Sequence, residues 1–247
     1  MSLQRINKRK PLIHCMTNTV VTNFTAHGLL AIGASPIMAD AIEEVVDIVR
    51  LADGLLINIG TLNERTVAAM NVAIDVAMEK GIPIVFDPVG AGASNYRLQT
   101  ARHFLTNKRI TLLRCNAGEL AAIAGTKWQA SGVDSGSGDV NIEQLAKDVA
   151  TRFSCFVIVT GEMDLLTDGH MLEVVAGGHE KVTRITGTGC LLSAICTALL
   201  ASSENPIADL KTLLTEYKHV AERALAPLGS YQVKLLNELE RMSEVSE

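Results

Sequence analysis

Aromatic side chains are scarce: one Trp, three Tyr and five Phe supply only 4% of 247 residues. Hydrophobic residues still reach 48%, so Ala, Val, Ile and Leu must fill the core. Long apolar runs are missing too. Leu191 to Ala201 is the longest, far short of the roughly 20 residues that a membrane helix needs. Arg5, Lys8, Arg9 and Lys10 precede "PLIHCMTNTV", which is too polar for a secretion signal, so no targeting or anchoring segment is expected. Positive charge is in deficit, with 22 Lys and Arg against 27 Asp and Glu and a net charge of −5. Without a basic stripe, nucleic acid is excluded as an expected partner. The five cysteines form no C-x-x-C pair, which argues against a disulfide framework or a zinc site and points to the cytoplasm. No G-x-G-x-x-G follows a first strand, which counts against a nicotinamide dehydrogenase.

What the chain does contain is alternation. "LLINI" (55–59), "PIVFD" (83–87) and "FVIVT" (156–160) read as buried strands. Residues 63–81 and 141–153 repeat apolar positions at helical spacing, with Asn141 as N-cap of the second and Gly81 closing the first. The expected fold is α/β, a mostly parallel sheet with helices on both faces. Residues 163–175 read as a hairpin around Asp168-Gly169. The Ser/Gly-rich stretch 130–140 reads as a surface loop. The C-terminal part, from Ala208, reads as two amphipathic helices broken at 226–230.

In such sheets, ligands gather at the carboxyl ends of the strands. "DPVGAGAS" (87–94) places Asp87 there, with glycines that let backbone approach a ligand. "LLRCNAGEL" (112–120) offers Asn116 and Glu119, either as a capping box or as oxygen ligands for hydrated magnesium. "TGTGC" (186–190) opens into an apolar helix, so its N–H groups could hold an anion, or the turn could simply enter the core. In segment 14–39, His14, Thr17, Asn18 and Asn23 stand among apolar residues and need partners. "GASPIMAD" (33–40) could present Met38 to an apolar ligand, although Met is commonly filler. His14, His27 and His103 form no nucleophile–base spacing, and His14 reads as support for the N-terminal turn. Cys15, Cys115, Cys155 and Cys196 read as small core residues, and Trp128 as packing.

"HCMTNTVVTNFTAHGLLAIGASPIM", "DPVGAGAS", "LLRCNAGEL", "VTGEMD" and "TRITGTGC" together resemble the hydroxyethylthiazole kinase family of the ribokinase-like superfamily. They run in family order from about residue 11 to about residue 200. The resemblance implies one domain over 1–247 with a three-layer α-β-α ribokinase-like fold. It implies transfer of the γ-phosphoryl of ATP to the primary hydroxyl of 4-methyl-5-(2-hydroxyethyl)thiazole, with Mg2+, in thiamin salvage. It also implies a homotrimer with active sites between subunits, one chain supplying the Asn18/Met38 wall and another the phosphate loop.

By the same resemblance, Asp87 and Glu119 face magnesium, while Arg114 and Thr160 contact ATP, with Asn116 beside them. Met38, Gly187 and Asn18 line the thiazole. Gly187, Thr188 and Gly189 present backbone N–H groups to the migrating phosphoryl group. Cys190 stands where related kinases carry an aspartate base. At a helix N-terminus its thiol is expected to have a lowered pKa, opposed by a neighbouring polyphosphate. Its role is to orient the hydroxyl and accept its proton late. The alternatives are another kinase of the superfamily acting on a pyrimidine, pyridoxal or a sugar, a nicotinamide-hydrate repair lyase, and a non-catalytic nucleotide-binding relative. The missing aspartate after the glycine-rich turn argues against the lyase.

Overall fold

Turn residues cut the apolar runs into short strands, and amphipathic segments between them close into helices. A computed structural model, which describes residues 1–126 and 141–244, gives their order. It begins α1 (Ser2–Arg9), β1 (Leu12–Met16), α2 (Thr22–Ala31), β2 (Ser35–Ile37), α3 (Val45–Leu51), β3 (Gly54–Asn58), α4 (Glu64–Lys80) and β4 (Ile84–Asp87). It continues α5 (Asn95–Asn107), β5 (Leu112–Asn116), α6 (Ala117–Ala124), α7 (Ile142–Phe153), β6 (Phe156–Thr160), β7 (Asp164–Thr167) and β8 (Leu172–Val175). A 3-10 turn at Glu180–Arg184 leads to α8 (Thr188–Leu200), α9 (Pro206–Arg223) and α10 (Leu228–Ser243).

The eight strands form one sheet in the order β2-β1-β3-β4-β5-β6-β7-β8. β1 to β6 are parallel; β7 and β8 join antiparallel, as the hairpin around Asp168-Gly169 requires. The chain steps from β1 out to β2 and then to β3 on the other side of β1. That reversal makes the carboxyl ends of β1 and β3 a topological switch point, the place where open α/β sheets bind ligands.

Strand periodicity divides the core. Ile13, Cys15, Leu56, Val85, Leu112 and Ile158 face α1, α2, α8, α9 and α10. Met16, Leu55, Ile57, Phe86, Leu113 and Val157 face α3 to α7. The central helix α8 is buried from Leu191 to Leu200, which explains its nearly uniform apolar sequence. No helix among the described residues is long and apolar enough to cross a membrane.

Two sequence readings shift. The break between the last helices lies at 224–227, because α10 already begins at Leu228 behind Pro227. Its first turn therefore includes Leu228, Gly229 and Ser230, which were expected to break it. His14 serves a different loop from the one expected: its Nε2 meets the Ala39 carbonyl at 2.7 Å, fastening the segment after β2. The loop 130–140 and Trp128 lie outside the described residues.

Candidate active site

Period-two alternation carries polar side chains to one edge of the sheet. On the face toward α8, Leu56 is followed by Asn58, Val85 by Asp87, Leu112 by Arg114, and Ile158 by Thr160. The last apolar residue of each strand thus gives way to a polar one at its carboxyl end. Asn58 and Asp87 are also register partners on neighbouring strands.

These groups form a continuous network. Asn18, just past β1, donates through Nδ2 to Asn58 Oδ1 at 3.0 Å, across the switch point. Asn58 Nδ2 donates to Asp87 Oδ2 at 3.0 Å, and Ser193 Oγ on α8 donates to the same oxygen at 2.8 Å. Asn18 Nδ2 also lies 3.5 Å from Cys190 Sγ. Asn18 and Cys190 are therefore neighbours within a single chain, so the expected division of the Asn18 wall and the phosphate loop between two chains does not hold for Asn18.

Asp87 is fully buried, and its Oδ1 has no hydrogen-bond partner. The nearest cation is Arg114, whose Nη1 stands 3.8 Å away. Burial pushes the Asp87 carboxyl above the usual carboxylate range, while Arg114, Ser193 and Asn58 pull it back. The Arg114 guanidinium donates to Thr160 Oγ1 and lies over Gly189. A Cβ at Gly189 would come within 2.6 Å of both terminal nitrogens of Arg114. Only a residue without a side chain lets a guanidinium approach the helix this closely.

Glu119 and Asn116 form the capping box. Asn116 Oδ1 accepts from the Glu119 N–H at 2.8 Å, and Glu119 Oε2 accepts from the Asn116 N–H at 2.9 Å. Asn116 is thus a helix cap rather than a helical neighbour of Glu119, and its side chain is engaged with backbone. Glu119 reaches further: Oε1 accepts from the Gly90 N–H at 2.8 Å and ties the loop after β4 to the start of α6. Burial, and then the nearby Asp87, push its carboxyl up. A buried acid whose carboxyl is pushed up by a second buried acid marks a place that favours a cation.

The first turn of α8 completes the edge. Asn63, Ser94, Asn116 and Asn141 cap α4 to α7 with side-chain oxygens, whereas α8, like α1 to α3, α9 and α10, has no side-chain cap, its N-cap being Gly187. Leu191 N–H is bonded back to the Gly187 carbonyl, so the amides of Thr188, Gly189 and Cys190 precede the helical ladder. Gly187 adopts φ +95°, and a Cβ there would stand 2.6 Å from Val21 Cγ1. The turn is therefore reserved for glycine by both conformation and space.

One expectation is overturned. Cys190 sits at a helix N-terminus, yet its thiol is pushed up to about 11, first by burial and then by the Asp87 charge. Burial and the Asp87 charge together favour the neutral thiol at pH 7. Cys15, Cys115, Cys155 and Cys196 are buried, as expected.

Met38 follows β2, three strands from β4, packs against the α8-side core and takes no part in this network. His103 bonds Asn71 and Asn107 on the surface, away from the network. Asn58, Ser193 and Arg97 were missed. Asn58 was detectable as a lone amide in an otherwise apolar strand, and Ser193 as a hydroxyl one turn into α8. Arg97 gave no signal: it clamps the carbonyls of Ile59, Gly60 and Val89, and that depends on tertiary packing.

The comparisons bear on the family and the fold. A family model described as the hydroxyethylthiazole kinase family matches residues 3–245. A hydroxyethylthiazole kinase of Lysinibacillus sphaericus is 51% identical, covering 100% of this chain and 98% of that protein. A solved hydroxyethylthiazole kinase from Pyrococcus horikoshii superposes with a TM-score of 0.89 at 39% identity, covering 98% of this chain and 92% of that one. A ribokinase-like superfamily protein from Enterococcus faecalis shares the fold alone, with a TM-score of 0.68 at 11% identity over 95% of this chain and 88% of that one. Matched from end to end by both sequence and fold, the chain belongs to the hydroxyethylthiazole kinase family.

Proposed function

We propose that the chain transfers the γ-phosphoryl of ATP to the primary hydroxyl of 4-methyl-5-(2-hydroxyethyl)thiazole, giving the thiazole phosphate for thiamin synthesis. The observation that carries this reading is the uncapped first turn of α8, with Arg114 over Gly189 and Asp87 behind Cys190. Phosphoryl transfer needs in-line positioning and charge stabilisation more than covalent chemistry. The amides of Thr188, Gly189 and Cys190 face the transferring group, and each such donor is worth about 3–4 kcal/mol when removed. Arg114, steadied by Thr160, adds a cation that does not deprotonate.

Asp87 and Glu119 suit magnesium. They offer hard oxygen donors, both are buried, and Asp87 Oδ1 lacks a protein partner. Magnesium, when bound, offsets charge on the phosphate oxygens. Asn116 enters through the Glu119 carboxylate, which accepts from its backbone N–H. Asn18 and Gly187 border the substrate hydroxyl from opposite sides of Cys190, with Met38 further out as an apolar wall. A neutral thiol cannot be the hydroxyl proton's final acceptor. Cys190 accordingly orients the hydroxyl, and the proton leaves late, to the phosphoryl oxygens. A loose transition state tolerates that order.

The remaining expectations belong to this reading. One eight-stranded sheet supports a single domain over 1–247. Val20, 68% exposed beside Asn18, gives apolar surface that a neighbouring subunit of a homotrimer would cover; sedimentation tests this. Five free cysteines favour the reducing cytoplasm.

An ADP-release assay with hydroxyethylthiazole and with its pyrimidine counterpart, with and without magnesium, decides the activity. The expected result is magnesium-dependent turnover of the thiazole. Preference for the pyrimidine, or no turnover, overturns the reading. Cys190→Ala should lower turnover with little change in ATP affinity; unchanged turnover removes Cys190 from the chemistry.

A further inference from the structure

Lys218, on α9, is 8% exposed, and lysine is rarely buried to that extent without dedicated partners. Its ammonium sits in a cage of oxygens. Nζ lies 3.2 Å from the Glu162 carbonyl, 3.2 Å from the Gly177 carbonyl, 3.5 Å from the Gly161 carbonyl and 3.3 Å from Asp164 Oδ1. Four oxygens surround three N–H donors, so the arrangement follows charge more than individual hydrogen bonds. A ring of peptide carbonyls with one carboxylate is also how proteins hold a large monovalent cation.

The cage is tied to the candidate active site on two sides. Gly161 and Glu162 directly follow Thr160, which accepts from Arg114. Asp164 Oδ1 also accepts from the Gly161 N–H at 3.1 Å, closing the turn on itself. Gly177 begins the segment that runs through the 3-10 turn to Gly187. Around it, Glu222 accepts from the Gly178 N–H at 2.7 Å, and Tyr217 donates to the Thr188 carbonyl at 2.8 Å. One face of α9 thereby joins the turn behind Arg114 to the segment ahead of α8.

We propose that Lys218 is a tethered monovalent cation: a positioning residue whose charge gathers these carbonyls and so sets the distance between Thr160–Arg114 and the first turn of α8. The proposal rests on the kinase reading for its kinetic consequence and on the cage alone for its binding consequence. A Lys218→Met variant keeps most of the stem and removes the charge, leaving four oxygens without a cation. Free potassium or ammonium, but not the bulkier choline, then fills the cage and restores the geometry.

The test measures Lys218→Met and Lys218→Ala in choline, potassium, ammonium and methylammonium chlorides at equal ionic strength. Steady-state kinetics and the thermal midpoint are read for each variant and for the unaltered chain. In choline, the variants should lose roughly tenfold to a hundredfold in kcat/KM for ATP, the scale of a small misplacement of catalytic groups. Potassium or ammonium should restore activity saturably and raise the variants' midpoint, while the unaltered chain responds equally to all four salts. Variants that keep full activity in choline overturn the proposal. So do variants whose rate and midpoint ignore the identity of the ion, and variants that fold in none of the salts. If the unaltered chain has no kinase activity, the functional reading fails, and the ion-selective midpoint still judges the cage.

Discussion

Asn58 and Asp87 stand opposite each other at the ends of adjacent parallel strands, and the amide of one donates to the carboxylate of the other at 3.0 Å. Asn58 also accepts from Asn18 and from the Gly60 N–H, so it orients three groups at once. Asn58→Ala should cost about 1–3 kcal/mol, the scale of a buried polar group left unpaired. Turnover should fall with it, because Asp87 loses a fixed donor. Urea unfolding and initial rates measure both effects.

Chemical reactivity tests the state of Cys190. With its thiol pushed up to about 11, alkylation by iodoacetamide should be slow at pH 7 and should still be rising at pH 10. Peptide mapping at each pH isolates this cysteine from the other four. A plateau near neutrality would instead reveal a stabilised thiolate.

Stability should depend on pH in an unusual direction. Burial raises the carboxyl pKa values of Asp87, Glu119, Asp164 and Glu216. The folded chain therefore holds these protons more tightly than the unfolded chain does. Their contribution is complete below the ordinary carboxylate pKa of about 4 and is lost as pH rises through the raised native values. Without ligands, the thermal midpoint should decline through mildly acidic pH toward neutrality. Asp87→Asn should reduce that decline and abolish turnover.

The two glycines before Cys190 should fail differently. Gly189→Ala preserves a helical residue but drives a methyl group into Arg114, so the KM for ATP should rise about tenfold or more while the fold survives. Gly187→Ala meets both a positive φ and Val21, and should destabilise by about 1–3 kcal/mol. Thermal melts beside ATP titrations separate the two cases.

Three parallel strands, the hairpin and two caps were legible because they are local, whereas β1 and β2 were not read as strands. Asn141 and the box at Asn116 and Glu119 sit where capping rules place them. Asp87 and the 186–190 turn were legible as strand-end and helix-start features. The role of Asn58 was not, because it depends on the register between β3 and β4, which no local pattern encodes. Lys218 and Arg97 were invisible for a related reason. Apart from Asp164 beside Lys218, their partners are backbone carbonyls, and any residue supplies those. The Cys190 thiol misled because the helix dipole is a local effect, whereas burial and Asp87 come from the assembled core.

On the proposed reading, the uncapped first turn of α8 would accept small oxyanions in general. Inorganic phosphate and sulfate should compete with nucleotide for the same three amides, so assays in phosphate buffer would under-read its affinity. The same open helix end links ligand occupancy to folding: each nucleotide held there adds directly to the work needed to unfold the chain.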